Sequence, residues 1–317
     1  MSQSFAGCRL LAVHAHPDDE ASKGAATTAL YTSQGVEVMI ATFTGGEAGS
    51  ILNPALQENP KAIRDIAGLR REEMARAATE LGAQHRWIGF VDSGLPEGDP
   101  EVETPHGCFY RTPTDVAMRP LIHLIRSFRP HVVTTYDEMG GYPHPDHIKT
   151  HEVTMEAVSA AADGMVNPEL GAPWQVQKIY YNEDLGPKKW LLLHEALTSK
   201  GIESPFGDMV ERWHKRSDQR VTHMTTAVEC AEYFPHRERA LLAHATQIDP
   251  NGGFFSEANR VAREHWRTEE FELAVDLTGR DIPNREEDFW ETDLFAGITL
   301  DSGERIPDEG WLVANDS

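Results

Sequence analysis

Three observations predict an α/β fold. Short apolar runs at residues 10–13, 36–42, 86–91 and 132–136 read as strands, helical stretches near 22–33, 63–81, 116–128 and 147–162 alternate with them, and 317 residues suffice to bury a substantial core. Such alternation marks a parallel sheet sandwiched by helices in a Rossmann-like arrangement. After Gly164 the alternation weakens. Pro168, Gly171 and Pro173 punctuate a passage toward a further strand candidate at 176–181, and helices near 190–197 and 233–245 mix with loops. The expected organisation is an α/β metal-binding core over residues 1–170, a smaller C-terminal lobe over 171–297 covering the sheet edge and the site, and an acidic tail over 298–317.

The first strand, Leu10-Leu11-Ala12-Val13, runs into His16-Pro17-Asp18-Asp19-Glu20. Proline suits the first turn of a helix, and the three acids suit the positive end of its dipole. The cluster therefore sits on a strand-to-helix corner, at the carboxyl end of a parallel strand where ligands bind. Adjacent helical residues diverge by roughly 100°, whereas residues three apart share a face, so His16 and Asp19 pair and Asp18 is left over. A second helix opens at His144-Pro145-Asp146-His147, with its histidines again three apart. Two histidines and one carboxylate hold zinc with a fourth position open, the catalytic arrangement. The expected ligands are His16, Asp19 and His147, with Asp18 taking a proton from water and His144, polarised by Asp146, facing the oxyanion or the leaving group. Capping acids and core histidines are the plainer alternative, weakened because both halves fall at helix openings. His151, one turn past His147, is read as helix packing because the site needs a vacancy. Zn2+ is the expected ion, with Fe2+ the alternative, since both suit His and carboxylate.

The chain carries 29 basic and 51 acidic residues, a net charge of −22, which disfavours nucleic acid and anionic membrane as partners. Residues 281–317 hold 11 acids against 2 arginines, around Arg285-Glu286-Glu287-Asp288, and read as a solvated terminal segment. No run approaches the ~18 apolar residues of a membrane span. Phe5-Ala6-Gly7-Cys8 looks like a lipoprotein box but lacks a preceding apolar stretch, and Cys8, Cys108 and Cys230 are isolated, so a cytoplasmic location with reduced thiols is expected. A dinucleotide module is disfavoured: the corner after the first strand carries His-Pro-Asp-Asp instead of glycines, and Gly45-Gly46-Glu47-Ala48-Gly49 is wrongly spaced.

The two motifs resemble the zinc-dependent de-N-acetylases of the LmbE-like, or PIG-L, superfamily, over roughly residues 9 to 297. Further matching blocks are Ser22-Lys23-Gly24-Ala25-Ala26-Thr27-Thr28, Thr44-Gly45-Gly46-Glu47 with Ile51-Leu52-Asn53-Pro54, Val91-Asp92-Ser93-Gly94 with the residues through Pro100, Gly140-Gly141-Tyr142-Pro143, Ala231-Glu232-Tyr233-Phe234 and His244-Ala245-Thr246-Gln247-Ile248-Asp249-Pro250. The resemblance implies hydrolysis of an amide on the amino group of a glucosamine. Within the family it points to the branch acting on a small-molecule thiol conjugate of glucosaminyl-inositol, a detoxification reaction. The alternative is a deacetylase of N-acetylglucosaminyl-inositol or another amino sugar, and a metal-holding protein without turnover is disfavoured by intact Asp18 and His144. A homo-oligomer is compatible with the sequence. By the same resemblance Arg70 and Asp92 grip the glucosamine-inositol moiety, Glu47 lies in the same rim, Lys23 meets the larger acyl-cysteine group, Tyr142 steadies the oxyanion and Gln247 closes the pocket from the second lobe. Arg71, Glu72 and Glu73 are expected to be solvated helix charges.

Overall fold

The computed structural model describes residues 5–96, 103–183, 187–204, 206–208, 210–211, 224–282 and 290–308. Seven strands form one sheet in the order β3-β2-β1-β4-β5-β7-β6: β1 (Arg9–His14), β2 (Glu37–Thr44), β3 (Gln84–Phe90), β4 (Val132–Thr135), β5 (Lys178–Asn182), β6 (Thr226–Glu229) and β7 (Thr268–Asp276). The first five run parallel, whereas β7 pairs antiparallel with both β5 and β6. The sheet is thus mixed, and the boundary expected after residue 170 does not divide it.

Alternate side chains of the central strands serve two cores. Leu11 and Val13 of β1 with Met39, Ala41 and Phe43 of β2 pack on α5 (Thr114–Phe128) and α6 (Pro145–Ala162). Ala12 and Ile40 face the other way, onto α2 (Ala25–Ser33), α4 (Ile66–Leu81) and α8 (Phe234–Ala243). Burial on both faces explains why these strands read as unbroken apolar runs. The expected helix at 22–33 is two pieces, α1 (Asp19–Ser22) and α2, because Gly24 takes φ +70° between them. The one at 63–81 is α3 (Pro60–Arg64) and α4, parted at Asp65, whose carboxylate caps the Gly68 N–H at 2.9 Å. Beyond β5 come α7 (Pro187–Ser199) and α9 (Glu257–His265).

The segment after residue 290 departs from the solvated tail that was expected. Trp290, Leu294, Phe295, Ile298 and Ile306 are buried against Phe5, Leu10, Tyr31 and Val38. Residues 285–288 and 309–317 lie outside the described residues. Glu291 anchors this segment to the sheet, accepting Lys178 Nζ, Tyr180 OH and Thr226 Oγ1 at 2.7 Å each, all fully enclosed. Glu291→Ala leaves the Lys178 ammonium buried without its carboxylate, and is expected to lower unfolding free energy by about 3–5 kcal/mol. The shift of the urea midpoint at unchanged slope is the measurement, and a shift under a third of that size rejects the anchor.

Candidate metal centre and active site

The sheet order reverses direction at β1: β2 lies on one side and β4 on the other. The loops leaving β1 and β4 at their carboxyl ends diverge here and leave a crevice. His16 through Asp19 follow β1, and Gly140 through His147 follow β4 and open α6. Sequence positions about 130 apart are thereby brought together.

His16 Nδ1, Asp19 Oδ2 and His147 Nε2 form a triangle with sides of 3.3, 3.5 and 3.6 Å. A tetrahedral ion with ligands at ~2.0–2.1 Å sets its ligand atoms roughly 3.3–3.5 Å apart, so the triangle has the right size. The ring tautomers agree. His147 Nδ1 donates to the Gly140 carbonyl at 2.9 Å, and His16 Nε2 faces Asp146 Oδ2 at 3.3 Å, which leaves a lone pair on each of the two nitrogens that meet. When both rings are neutral, two lone pairs 3.3 Å apart need a cation between them, either a proton or a metal ion. Burial pushes His147 down to about 3, so it is neutral and able to ligate at neutral pH. Burial disfavours charge on His16 as well, but hydrogen bonds to Asp146, Asp19 and Asp92 outweigh it and hold that ring well above its usual range. The site therefore favours positive charge. His144 with His16 and His147, and Asp92 with Asp146 and His16, are two further groupings close enough to share an ion.

Asp19 is buried and heavily bonded. Its Oδ2 accepts the His16 N–H at 2.9 Å and the Tyr136 hydroxyl at 2.7 Å, and its Oδ1 accepts Lys23 Nζ at 2.8 Å. Burial opposes its ionisation, yet Lys23 and His147 hold it well below the carboxylate range. Asp18 has the opposite character: burial and then the neighbouring Asp19 charge push it up to about 7. Its backbone is strained, with φ 125° and ψ −21°, a conformation that costs a non-glycine residue about 1–3 kcal/mol. Its carboxylate makes no capping bond to α1.

The other expected site residues make contacts within the chain, and one of these contacts differs from expectation. Asp146 was assigned to polarise His144, but its carboxylate faces His16 Nε2 and accepts the Ser93 N–H at 2.9 Å and the Ser93 hydroxyl. The His144 ring stands edge-on to His16 at 4.6 Å, and the Asp146 N–H donates to its Nδ1 at 3.1 Å as the cap of α6, so a neutral His144 carries its proton on Nε2. Lys23 donates to Asp19 and Ser22. Arg70 is 1% exposed and donates to the Gly49 and Ser50 carbonyls, bracing the loop after β2. Asp92 caps the same region, accepting Ala48 and Gly94 N–H groups, while Oδ1 lies 3.6 Å from His16 Nε2. Glu47 accepts the Asp92 N–H at 3.2 Å. Gln247 donates to the Pro17 carbonyl at 2.8 Å, touching the first motif itself. Tyr142 stands at the rim, 45% exposed, its ring edge-on to His147 at 4.7 Å. His151 turns away, its Nδ1 at 3.0 Å from the Tyr136 carbonyl.

Four residues that contribute here escaped the sequence reading. Tyr136, at the end of the β4 run, stacks on His147 at 4.3 Å and bonds Asp19. Ser93 and His244 lie within the quoted blocks, where only neighbouring residues were assigned. Glu73 is fully buried, correcting its assignment as a solvated charge; it accepts the Thr246 N–H and hydroxyl at 2.9 and 2.6 Å. Arg71 and Glu72 are exposed as expected. The three cysteines are buried, and burial pushes the Cys8 thiol up to about 12, so it is no nucleophile. Among the described residues, no helix is long and apolar enough to cross a membrane.

A profile of the PIG-L family, described as GlcNAc-PI de-N-acetylase, matches residues 11–158, the stretch that holds both motifs. Mycothiol S-conjugate amidase of Streptomyces coelicolor is 51% identical over 292 residues, covering 92% of this chain and 97% of its own. A 1D-myo-inositol 2-acetamido-2-deoxy-alpha-D-glucopyranoside deacetylase of Geodermatophilus obscurus is 39% identical over 300 residues, covering 92% of this chain and 98% of its own. In fold, the chain is similar to N,N'-diacetylchitobiose deacetylase of Pyrococcus horikoshii, with a TM-score of 0.58, 16% identity and 88% of each chain covered. With both motifs at one crevice and a relative alike over nearly its whole length, this chain belongs to the PIG-L, or LmbE-like, family of de-N-acetylases.

Proposed function

We propose that this protein is a metal-dependent amidase that cleaves the glucosamine amide of mycothiol S-conjugates, releasing glucosaminyl-inositol and an N-acetylcysteine S-conjugate in detoxification. The observation that carries amide hydrolysis is the triangle of His16, Asp19 and His147, with Asp18 next to Asp19 in the chain. The choice of substrate rests on the greater likeness to the Streptomyces coelicolor amidase than to the Geodermatophilus obscurus deacetylase. His16, Asp19 and His147 would hold the ion, zinc or ferrous iron. When bound, such an ion supplies Lewis acidity to an amide carbonyl and acidifies water.

The remaining work falls to the chain. Asp18 takes the proton of the attacking water; a carboxyl pushed up to about 7 can accept a proton at neutral pH and return it. As the water oxygen bonds to the amide carbon, charge moves onto the carbonyl oxygen. Tyr142 OH and His144 Nε2–H are the donors for that oxyanion. The C–N bond then breaks, and the glucosamine nitrogen leaves with a proton from Asp18 or His144. Asp146 keeps His16 in the ligating tautomer.

Lys23 is the residue for substrate choice. Its bond to Asp19 acts on every substrate alike, so a specificity role must appear as an excess. Lys23→Ser is expected to reduce kcat/KM on a mycothiol S-conjugate about tenfold more than on N-acetylglucosaminyl-inositol. Equal losses retire that role. The test of the function is turnover of the zinc-loaded protein on these two compounds side by side, reading the freed amine. Faster acetyl removal would assign the protein to the deacetylases.

A further inference from the structure

We infer that Glu20 and His244 are positioning residues that, with the turn at residues 244–247, lock the Pro17–Asp18 peptide and so hold Asp18 in its strained conformation. The inference rests on Asp18 being the base of the proposed amidase.

Residue 18 sits at φ 125°, where an L side chain does not remain unless its surroundings impose it. The peptide plane entering that residue is gripped at both polar ends. Its carbonyl, on Pro17, accepts Gln247 Nε2 at 2.8 Å, and its N–H, on Asp18, donates to Glu20 Oε2 at 3.0 Å. Beyond Cα, the Asp18 carbonyl accepts the Ala21 and Ser22 N–H groups of α1 at 3.0 and 3.1 Å. With the plane before Cα fixed and the plane after it fixed, the rotation between them is set.

Glu20 is itself immobilised. Its Oε1 lies 2.6 Å from His244 Nε2, and both side chains are essentially without exposure. The other grip, Gln247, comes from the same turn, closed by the Gln247 N–H on the His244 carbonyl at 2.9 Å. That turn is tied down in three further places. Glu73 of α4 holds Thr246, the Leu52 N–H reaches the Thr246 carbonyl at 2.9 Å, and Asn53 Nδ2 reaches the Ala245 carbonyl at 2.9 Å. Among the described residues, the hydrogen bonds of this brace to the first motif run to the peptide before Asp18 and to Glu20, which makes it a device for aiming one carboxylate.

The test uses Glu20→Leu, Glu20→Gln and His244→Phe in the full chain, with Gln247→Leu as a milder break of the second grip should a buried variant fail to fold. Expected results are one zinc ion per chain at wild-type affinity, KM within about twofold, and kcat lowered about 10- to 100-fold, the scale of a small misplacement of a reacting group. Glu20→Gln, which keeps an acceptor for the Asp18 N–H, recovers most of that loss. In an Asp18→Ala background, Glu20→Leu costs nothing further, because both changes remove one function. A crystal structure of Glu20→Leu is expected to show residue 18 out of the left-handed region. Wild-type kcat in folded variants overturns the brace, as does a kcat loss that tracks zinc loss or adds fully to Asp18→Ala. Failure of the parent protein on both amides would instead strike the proposed function.

Discussion

Asp18→Ala is expected to bind one zinc ion per chain at unchanged affinity and to lose turnover by about 10²–10⁴-fold, the range a positioned general base supplies. The separation of the two effects follows from the structure. Asp19 makes the motif's carboxylate contacts with the two histidines, whereas the Asp18 carboxylate is absent from the His16–Asp19–His147 triangle and makes no cap bond. Its two neighbouring acids are committed elsewhere, Asp19 to Lys23 and Tyr136, Glu20 to His244, so neither can substitute. Metal analysis and single-turnover rates on the same sample make the measurement, and a fully active variant discards the assignment. Asp18→Gly sharpens the point. Glycine tolerates φ 125° and relieves the strain, so this variant should be equally inactive yet more stable by about 1 kcal/mol in thermal unfolding.

His147→Ala is expected to lose both ion and turnover. His147 is fully enclosed, is pinned by the Gly140 carbonyl on one nitrogen, and offers the other at 3.3 and 3.5 Å from two further donors, so its loss removes one corner of the triangle. Glycine at 140 matters to this geometry, because a side chain there would come within 2.6 Å of the His147 Cβ. His16→Ala should behave alike. Asp146→Asn, which touches the ion only through His16, should weaken affinity by about 10- to 100-fold and retain activity at saturating zinc. Isothermal titration of chelator-stripped protein separates Asp146→Asn from the two histidine variants. Removal of zinc from the wild type should also lower the melting temperature, since an ion at a hundred times its Kd contributes about 2.7 kcal/mol to the folded state. Tight zinc binding by His147→Ala would move the centre to the grouping of His16 with Asp92 and Asp146.

What could be read from the sequence divides along physical lines. The β1 and β4 corners were legible because local rules fix them: an apolar run, then a turn, then a helix opening, with Pro145 in the first turn of α6, whereas Pro17 stands before the cap of α1 rather than inside it. The spacing of three paired His16 with Asp19 and His144 with His147, and the fold brings His16, Asp19 and His147 within 3.6 Å of one another. Partners supplied from afar were not legible. Asp146 stands beside His144 in sequence, yet its carboxylate turns to His16 and Ser93, because capping engages its N–H and leaves the side chain to the neighbouring loop. Glu73 reads as one of a run of helix charges, and only the return of residues 244–247 over α4 reveals it as buried. The strand β7 carries Glu269, Glu270 and Glu272 and so hides its alternation; Glu269 is buried because it caps the N–H groups of Ala26 and Thr27 at 3.1 and 2.8 Å. Acidic residues near the C-terminus likewise concealed the apolar set that joins the core.

That set has a consequence for how the chain is made. The Tyr31 hydroxyl bonds Asp293, 262 positions later, and the ring packs on Phe295. Ribosomes add about 5–20 residues each second, so this aromatic face waits roughly 10–50 s between its own synthesis and the arrival of its cover. The nascent chain must carry exposed rings through that interval, an opening for aggregation that chaperones would have to guard. Soluble yield in the cell should then depend on the pace of translation more than on the final stability of the fold.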